Sequence, residues 1–432
     1  MQISRLQIKN LYDQYNYDID FNSEEKEQIT ILTGPNGYGK TTILRILNSL
    51  NPKSLYYFYV IKFSEIIISF DNNTILNITQ TYKTETESIF AVDHKEDLKK
   101  EVRFTWNKAD GEPLTHFVYN NTNIEKALRS YNFFKGTYSR RRAFDDLPNR
   151  EKEEILLDNE EFNEYIAKAN GQEQFLMQLK TLRSYYIPAN RIYNEAYEEN
   201  EKLPIEKVRE ALKDKMRKAR FDYLIHSQRI DSKFIKKVLD TNYEDCSQAS
   251  YNELKAEVEN QMNTTVKYKL ATKVEIPEYN EENKAVLFAY LKGLKEKFSK
   301  FSTILEKTNL FHKMLTSKEF ANKSIEFSPQ HGFIIKADKG DILKTHQLSS
   351  GEQNEIVMLY RLVYEVPDQS LLLIDEPENS LHVAWQKTIV DDMKEIADIK
   401  RLQIIIATHS PSIVSKGLSM TQDLYYLTKM YD

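Results

Sequence analysis

The strongest constraint on this chain is the run Ile29-Thr30-Ile31-Leu32-Thr33-Gly34-Pro35-Asn36-Gly37-Tyr38-Gly39-Lys40-Thr41-Thr42-Ile43-Leu44. Its first residues are apolar or β-branched and read as a short buried strand; Ile43, Leu44, Ile46 and Leu47 then recur at helical spacing. Between them the loop fits G-x-x-x-x-G-K-[ST], in which glycines let backbone N–H groups curl around phosphate oxygens and the helix N-terminus adds its positive dipole end. The expected cradle is Gly34, Pro35, Asn36, Gly37, Tyr38, Gly39, Lys40, Thr41 and Thr42. Lys40 would sit on the β- and γ-phosphates, Thr41 would offer its hydroxyl to Mg²⁺, and Thr42 would bring a second hydroxyl near the phosphates.

Two later strands carry chemistry at their carboxyl ends. Leu371-Leu372-Leu373-Ile374 runs into Asp375-Glu376, and Gln403-Ile404-Ile405-Ile406-Ala407 runs into Thr408-His409-Ser410. Strands alternating with helices predict a mostly parallel α/β sheet, which binds ligands at those ends. Asp375 would order Mg²⁺, and Glu376 would accept a proton from the attacking water as general base. Leu348-Ser349-Ser350-Gly351-Glu352-Gln353 contains S-x-x-E, so Ser349 is expected to cap a helix running to about Glu365 while Glu352 reaches back to it.

In order and sequence, Gly34–Thr41, Leu348–Gln353, Leu371–Glu376 with its continuation Pro377-Glu378-Asn379-Ser380-Leu381-His382, and Ala407–Ser410 resemble the phosphate loop, signature, second carboxylate motif with D-loop, and switch histidine of ABC-type ATPases. The E-P-E-N-S-L-H run is similar to the SMC/RecF/OLD-like branch. The resemblance spans about residues 1–120 and 320–425. It implies an ATP hydrolase using ATP and Mg²⁺, with His409 contacting the γ-phosphate. Ser349 and Gly351 would act in trans, Glu352 belonging to the same nucleotide-facing set, so that two copies sandwich ATP, with larger homo-oligomers expected. Asn10, Leu11 and Tyr12 resemble the stretch near the adenine, and Asn190 stands where the family usually has a metal-watching glutamine.

The implied organisation is an ATPase head with a mostly parallel sheet and an antiparallel β subdomain at 1–120, a helical arm at 121–320, and the rest of the head at 321–432. In the first part Ile66–Phe70 and Ile75–Thr79 are expected to pair across Asp71-Asn72-Asn73-Thr74, with Val102–Trp106 continuing the meander. Within Leu182–Arg191 a strand ending at Pro188 is expected, and a helix over Val383–Ala397. In the middle part Leu287, Leu291, Leu294, Phe298, Phe301 and Leu305 recur at alternating four and three, a seam that suits a helical hairpin or a core-facing helix.

At 432 residues the chain suits two or three lobes. Its 60 Lys and Arg against 65 Asp and Glu give a net charge of −5, which argues against coating nucleic acid over the whole surface but leaves local basic patches possible. The single cysteine, Cys246, excludes an intramolecular disulfide framework, and with no membrane-length apolar run or signal-peptide pattern the expectation is cytoplasmic, with no membrane partner. Little sequence follows His409, so no TOPRIM nuclease of the OLD type is expected in cis. Two functional readings follow. In the first, the protein is the ATPase sensor or scaffold of a two-component anti-phage system, similar to those of PARIS or Septu, controlling a separate effector nuclease. In the second, it is a SMC/RecF-like ATPase handling DNA in repair or strand management. The basic run Lys213, Lys215, Arg217, Lys218, Arg220, Arg229, Lys233, Lys236 and Lys237, with Arg140-Arg141-Arg142, could bind nucleic acid or an acidic trigger protein.

Overall fold

The computed structural model describes residues 1–21, 28–83, 99–120, 122–124, 160–189, 203–240, 247–316, 323–379, 383–386 and 388–429. The expected features at Arg140–Arg142, Asn190, Cys246 and Ser380–His382 lie outside the described residues. The chain forms two compact units: Met1–Arg191 with Val366–Asn379 and Trp385–Asp432, and Ile192–Glu365 with Ser380–Ala384. These divisions differ from the expected boundaries at 120 and 320. Residues up to 191 stay with the first unit, and 321–365 group with the helices.

In the first unit a five-stranded sheet runs Thr421–Asp423, Ile29–Thr33, Gln403–Ala407, Leu371–Asp375 and Ser184–Ile187. Every neighbouring pair in it is parallel. Ile404, Ile405 and Ile406, like Leu372 to Ile374, are fully buried, which is the continuous apolar signature of a strand covered on both faces. The expected strand ending at Pro188 is its edge member, Ser184–Ile187.

A six-stranded antiparallel sheet completes this unit, in the order Tyr15–Asp20, Ile3–Leu11, Glu65–Phe70, Thr74–Lys83, Lys99–Lys108 and Pro113–Asn120. Buried and half-buried residues alternate along Glu65–Phe70, and Leu76 and Ile78, Phe104 and Trp106 face the same core. The first strand breaks the alternation: Ile3, Leu6, Ile8 and Leu11 are all buried at spacings of three, two and three. Register shifts between Ile3 and Arg5 and between Ile8 and Leu11 reset the pleat and keep all four inward. Two helices from the expected arm, Glu160–Ala169 and Glu173–Leu179, belong to this core, with Phe175 stacked on Phe117 at 5.5 Å. Buried Gln403 ties the sheets together: its Oε1 accepts from Ile3 N at 2.9 Å and its Nε2 donates to Ile3 O at 2.7 Å.

The second unit holds the helices Pro204–Ser232, Gln248–Lys267, Lys284–Phe298 and Ser302–Thr316, and a three-stranded antiparallel sheet built on Lys323–Ser328 and Gly332–Ala337. All six seam residues from Leu287 to Leu305 are buried within it, against Pro204–Ser232 and Gln248–Lys267. Tyr223 stacks on Phe301 at 4.6 Å and on Phe298 at 6.1 Å. The seam is therefore a core-facing helix, interrupted by a 3-10 turn at Ser299–Phe301, and not one half of a free rod. Gly332 has φ 71°, and a Cβ there would lie 2.1 Å from the Arg209 carbonyl oxygen. Gly332→Ala is expected to destabilise the protein by about 2–4 kcal/mol, seen as a lower urea midpoint, because neither the left-handed backbone nor the helix carbonyl can yield cheaply.

Candidate functional site

The register of the parallel sheet brings the sequence-predicted residues together. Asp375 pairs with Ala407 and Ala407 with Leu32, so the strand leading into Gly34 and those leading into Glu376 and Thr408 all end along one edge. In the loop after the first of these, Gly34, Gly37 and Gly39 take φ values of 139°, 90° and 75°. A side chain at any of the three would be strained, which is how the loop turns tightly enough to present its backbone. Gly39 is the N-cap of the helix Lys40–Asn48, whose buried face is Ile43, Leu44, Ile46 and Leu47 as expected. The Tyr38 carbonyl accepts from Tyr17 Oη at 2.6 Å, and its ring packs between Tyr15 and Tyr425 with centroids 5.6 Å away on each side. Pro35 and Asn36 are exposed, and Thr42 is half-buried.

Lys40 is buried, and its Nζ donates to the Gly34 and Pro35 carbonyls at 2.8 and 3.1 Å. Burial holds its ammonium below the usual lysine range, opposed by the charges of Glu376, Asp375, Glu378 and Asp423. Thr41 Oγ1 donates to Asp375 Oδ2 at 2.9 Å, joining residues from opposite ends of the chain. Tyr186 Oη donates to the same oxygen at 3.2 Å. Burial pushes that phenol up to about 12, so it remains a donor at neutral pH. Sequence reasoning misses Tyr186 because a tyrosine in a strand reads as a β-former, and its place beside the acidic strand is set only by strand pairing.

Asp375 is 3% exposed. Burial raises its pKa and the neighbouring Glu376 charge adds to this, against the Thr41 and Tyr186 hydrogen bonds. Glu376 follows with φ 44°, its N–H donating to Ala407 O at 2.8 Å and its Oε2 accepting from Asn379 Nδ2 at 2.6 Å. Glu378 Oε1 accepts from Thr408 Oγ1, His409 N and Ser410 N at 2.7, 2.7 and 3.0 Å. Asn36, Glu376, Glu378, Asn379 and the exposed His409 border an open cleft of about 570 Å³. A cavity of about 330 Å³ at the amino ends of the same strands, lined by Leu47, Arg183 and Arg401 among others, holds none of the predicted residues.

The donor set fits a nucleotide with its magnesium ion. A glycine loop with one buried ammonium suits phosphate oxygens, and a hydroxyl beside a buried carboxylate is hard oxygen chemistry of the kind Mg²⁺ takes. Ser349, Gly351 and Glu352 belong to the second unit. There Ser349 caps the helix Ser350–Tyr360, accepting from Glu352 N, while Glu352 Oε2 accepts from Ser349 N at 2.8 Å and its other oxygen pairs with Lys323 at 2.6 Å. The capping box is as expected; the helix continues to Glu365 only as a π-helical turn. The helix expected over Val383–Ala397 is observed as Val383–Gln386 and Ile389–Lys400. Asn10, near the end of the first strand, and Tyr12, in the turn after it, have left-handed backbones, and Leu11 is buried.

The profile of a family described as AAA ATPase domain matches residues 1–414. The oligopeptide transport ATP-binding protein AppD of Bacillus subtilis is 26% identical over 118 residues, which is 27% of this chain and 34% of that protein's length. Among solved structures, the Smc head domain of Pyrococcus furiosus, with an extended coiled coil and bound to the C-terminal domain of ScpA, is 16% identical with a TM-score of 0.36, covering 96% of this chain and 91% of that one. The SMC head domain of Thermotoga maritima is 10% identical with a TM-score of 0.34, covering 96% and 92%.

Because the raised pKa of Asp375 means that the folded state holds its proton more tightly than the unfolded chain, the metal-free protein loses stability as pH rises from the ordinary carboxylate range through the raised value. Asp375→Asn is therefore expected to melt about 1–3 °C higher than wild type at pH 7 without nucleotide or magnesium. The gap should close on acidification below the ordinary carboxylate range, as followed by scanning fluorimetry across pH.

Proposed function

Since the chain belongs to the AAA ATPase domain family, we propose that the cleft at the carboxyl edge of its parallel sheet binds Mg-ATP and hydrolyses it in the manner of ABC-type ATPases. The observation that carries this reading is the hydrogen bond from Thr41 to Asp375 beside the glycine loop. Lys40 and the loop amides hold the β- and γ-phosphates, and Glu376 takes the proton of the attacking water. His409, exposed at the same edge, contacts the γ-phosphate. Magnesium held by Thr41 and Asp375 would neutralise charge developing on the phosphate oxygens. The partner-facing residues are Ser349 and Gly351: Ser349 and Ser350 are exposed, and nothing stands within 4 Å of where a Cβ of Gly351 would be. A second copy supplies them to the nucleotide, giving an ATP-sandwich dimer and larger homo-oligomers.

For the whole protein the reading is a sensor or scaffold ATPase of a two-component anti-phage system, controlling a separate effector nuclease. It rests on the likeness of the Glu376–His382 run to the OLD-like branch. Among the described residues no helix is long and apolar enough to cross a membrane, and a cytoplasmic location is part of the same proposal. One observation favours the second reading, DNA handling: Lys218, Arg220 and Arg229 are exposed along Pro204–Ser232. Arg217, by contrast, donates to Pro329 O at 3.1 Å, and Lys237 pairs with Glu296, so part of the basic run is internally engaged.

Lys40→Ala should abolish ATP binding or hydrolysis. Glu376→Gln should still bind ATP but hydrolyse it about 10²–10⁴-fold more slowly, accumulating the dimer or a larger assembly by light scattering; turnover equal to wild type would refute the base assignment. Under the DNA reading, duplex binding should weaken steeply with salt, and Lys218→Glu with Arg220→Glu should lower the salt slope by about one for each phosphate that is no longer neutralised. Binding unchanged by both substitutions would sink it.

A further inference from the structure

The turn after the acidic pair holds a carboxylate for which the proposed chemistry has no use. One oxygen of Glu378 receives three hydrogen bonds, from the Thr408 hydroxyl and from the His409 and Ser410 amides, all within 3.0 Å. Its other oxygen is buried without a hydrogen-bond partner. Leaving a carboxylate oxygen unsatisfied is costly, so the side chain is not placed there for its own solvation. What the arrangement gains is a fixed backbone: hydrogen bonds to an ionised acceptor are about twice as strong as neutral ones, and here two successive amides are held at the residue whose imidazole faces the cleft.

The same turn reaches back to the acidic pair. Asn379 donates to the Glu376 carboxylate, and Glu376 N–H donates to Ala407 O, the residue that precedes Thr408. Two ties therefore join the segments 376–379 and 407–410. One is backbone to backbone at Glu376 and Ala407; the other runs through the Glu378 side chain. A shift of the histidine segment cannot occur without moving or breaking one of them.

We propose that Glu378 is a positioning residue that makes the Glu376 carboxylate and the His409 ring move as one piece, so that contact with the terminal phosphate at His409 and alignment of the proton acceptor at Glu376 are coupled. The inference rests on the roles assigned above to those two residues. Glu378 acts through the amides it holds.

The test uses the full chain and two readouts. In nucleotide-free protein, Glu378→Ala should speed hydrogen–deuterium exchange of the Ala407–Ser410 segment by about tenfold or more. With ATP it should lower kcat on the order of ten- to a hundredfold, while ATP affinity, measured with a non-hydrolysable analogue, changes by less than about threefold. In a His409→Ala background, where the ring is gone, the same substitution should cost less than about threefold further. Thr408→Val removes one of the three donors and keeps the shape of the side chain, so it should give a smaller loss, masked in the same way, and it serves if the alanine variant does not fold. Unchanged exchange, or losses that multiply in full in the double variant, would overturn the coupling. If instead His409→Ala and Glu376→Gln leave hydrolysis untouched, the reading of the site fails, and the exchange result judges the Glu378 tie by itself.

Discussion

The carboxyl edge of the parallel sheet is governed by a buried carboxylate. Asp375 sits almost free of solvent at the end of its strand, next to the charge of Glu376, and its ionised form is supported by the Thr41 and Tyr186 hydroxyls and by the charge of Arg45. Lys40, the nearest cation in the loop, is itself desolvated, and its ammonium is turned toward the carbonyls of Gly34 and Pro35. The charges of Asp375, Glu376, Glu378 and Asp423 all act on that one lysine. An edge arranged in this way has an excess of negative charge over what its own side chains can balance. The imbalance is held in place by register, since the Asp375–Ala407 and Ala407–Leu32 pairs leave the strand ends no freedom to separate.

Much of this was legible in the sequence because each piece is local. A β-branched strand, glycines at the tight positions and an amphipathic first helical turn specify the loop without reference to anything distant. Ser349 and Glu352 specify the capping box from three residues' separation. Ile3, Leu6 and Ile8 mark an opening strand in the sequence, but the bulges at Ile3–Arg5 and Ile8–Leu11 depend on its pairing with two neighbours. Tyr186 and Glu378 were not legible, and for one reason. Their partners are a carboxylate at the end of the neighbouring strand and two amides in the segment that follows the strand Gln403–Ala407, and no spacing within the sequence encodes contacts between such distant segments.

The middle of the chain was read least well, because amphipathic helices announce that they have an apolar face but not what covers it. The seam from Leu287 to Leu305 has the periodicity of a coiled coil, yet its residues lie against Tyr223 and the neighbouring helices. Phe162 and Phe175 carry the same kind of pattern and are buried on an antiparallel sheet. The strands Lys323–Ser328 and Gly332–Ala337 fall in the part of the chain, 321–432, expected to complete the head. They join the helical unit because Gly332 admits the Arg209 carbonyl where any side chain would exclude it, and because Phe327 packs on Phe311 at 5.5 Å.

Glu376 shows the same dependence of position on backbone, in the opposite sense. Its φ of 44° places a non-glycine residue in the left-handed region, at a cost of about 1–2 kcal/mol. Its N–H extends the sheet by one more bond, to Ala407 O, which offsets about 0.5–1.5 kcal/mol of that. Glycine would accept this backbone without strain. It would give up the carboxylate, and with it the group that Asn379 orients. The left-handed step is also what turns the chain off the strand so that Glu378 and Asn379, adjacent in sequence, serve different partners, the segment Thr408–Ser410 and the acidic pair. Strain retained at a residue whose side chain faces a cleft, when an unstrained residue type exists, is the pattern expected where placement of a functional group outweighs local stability.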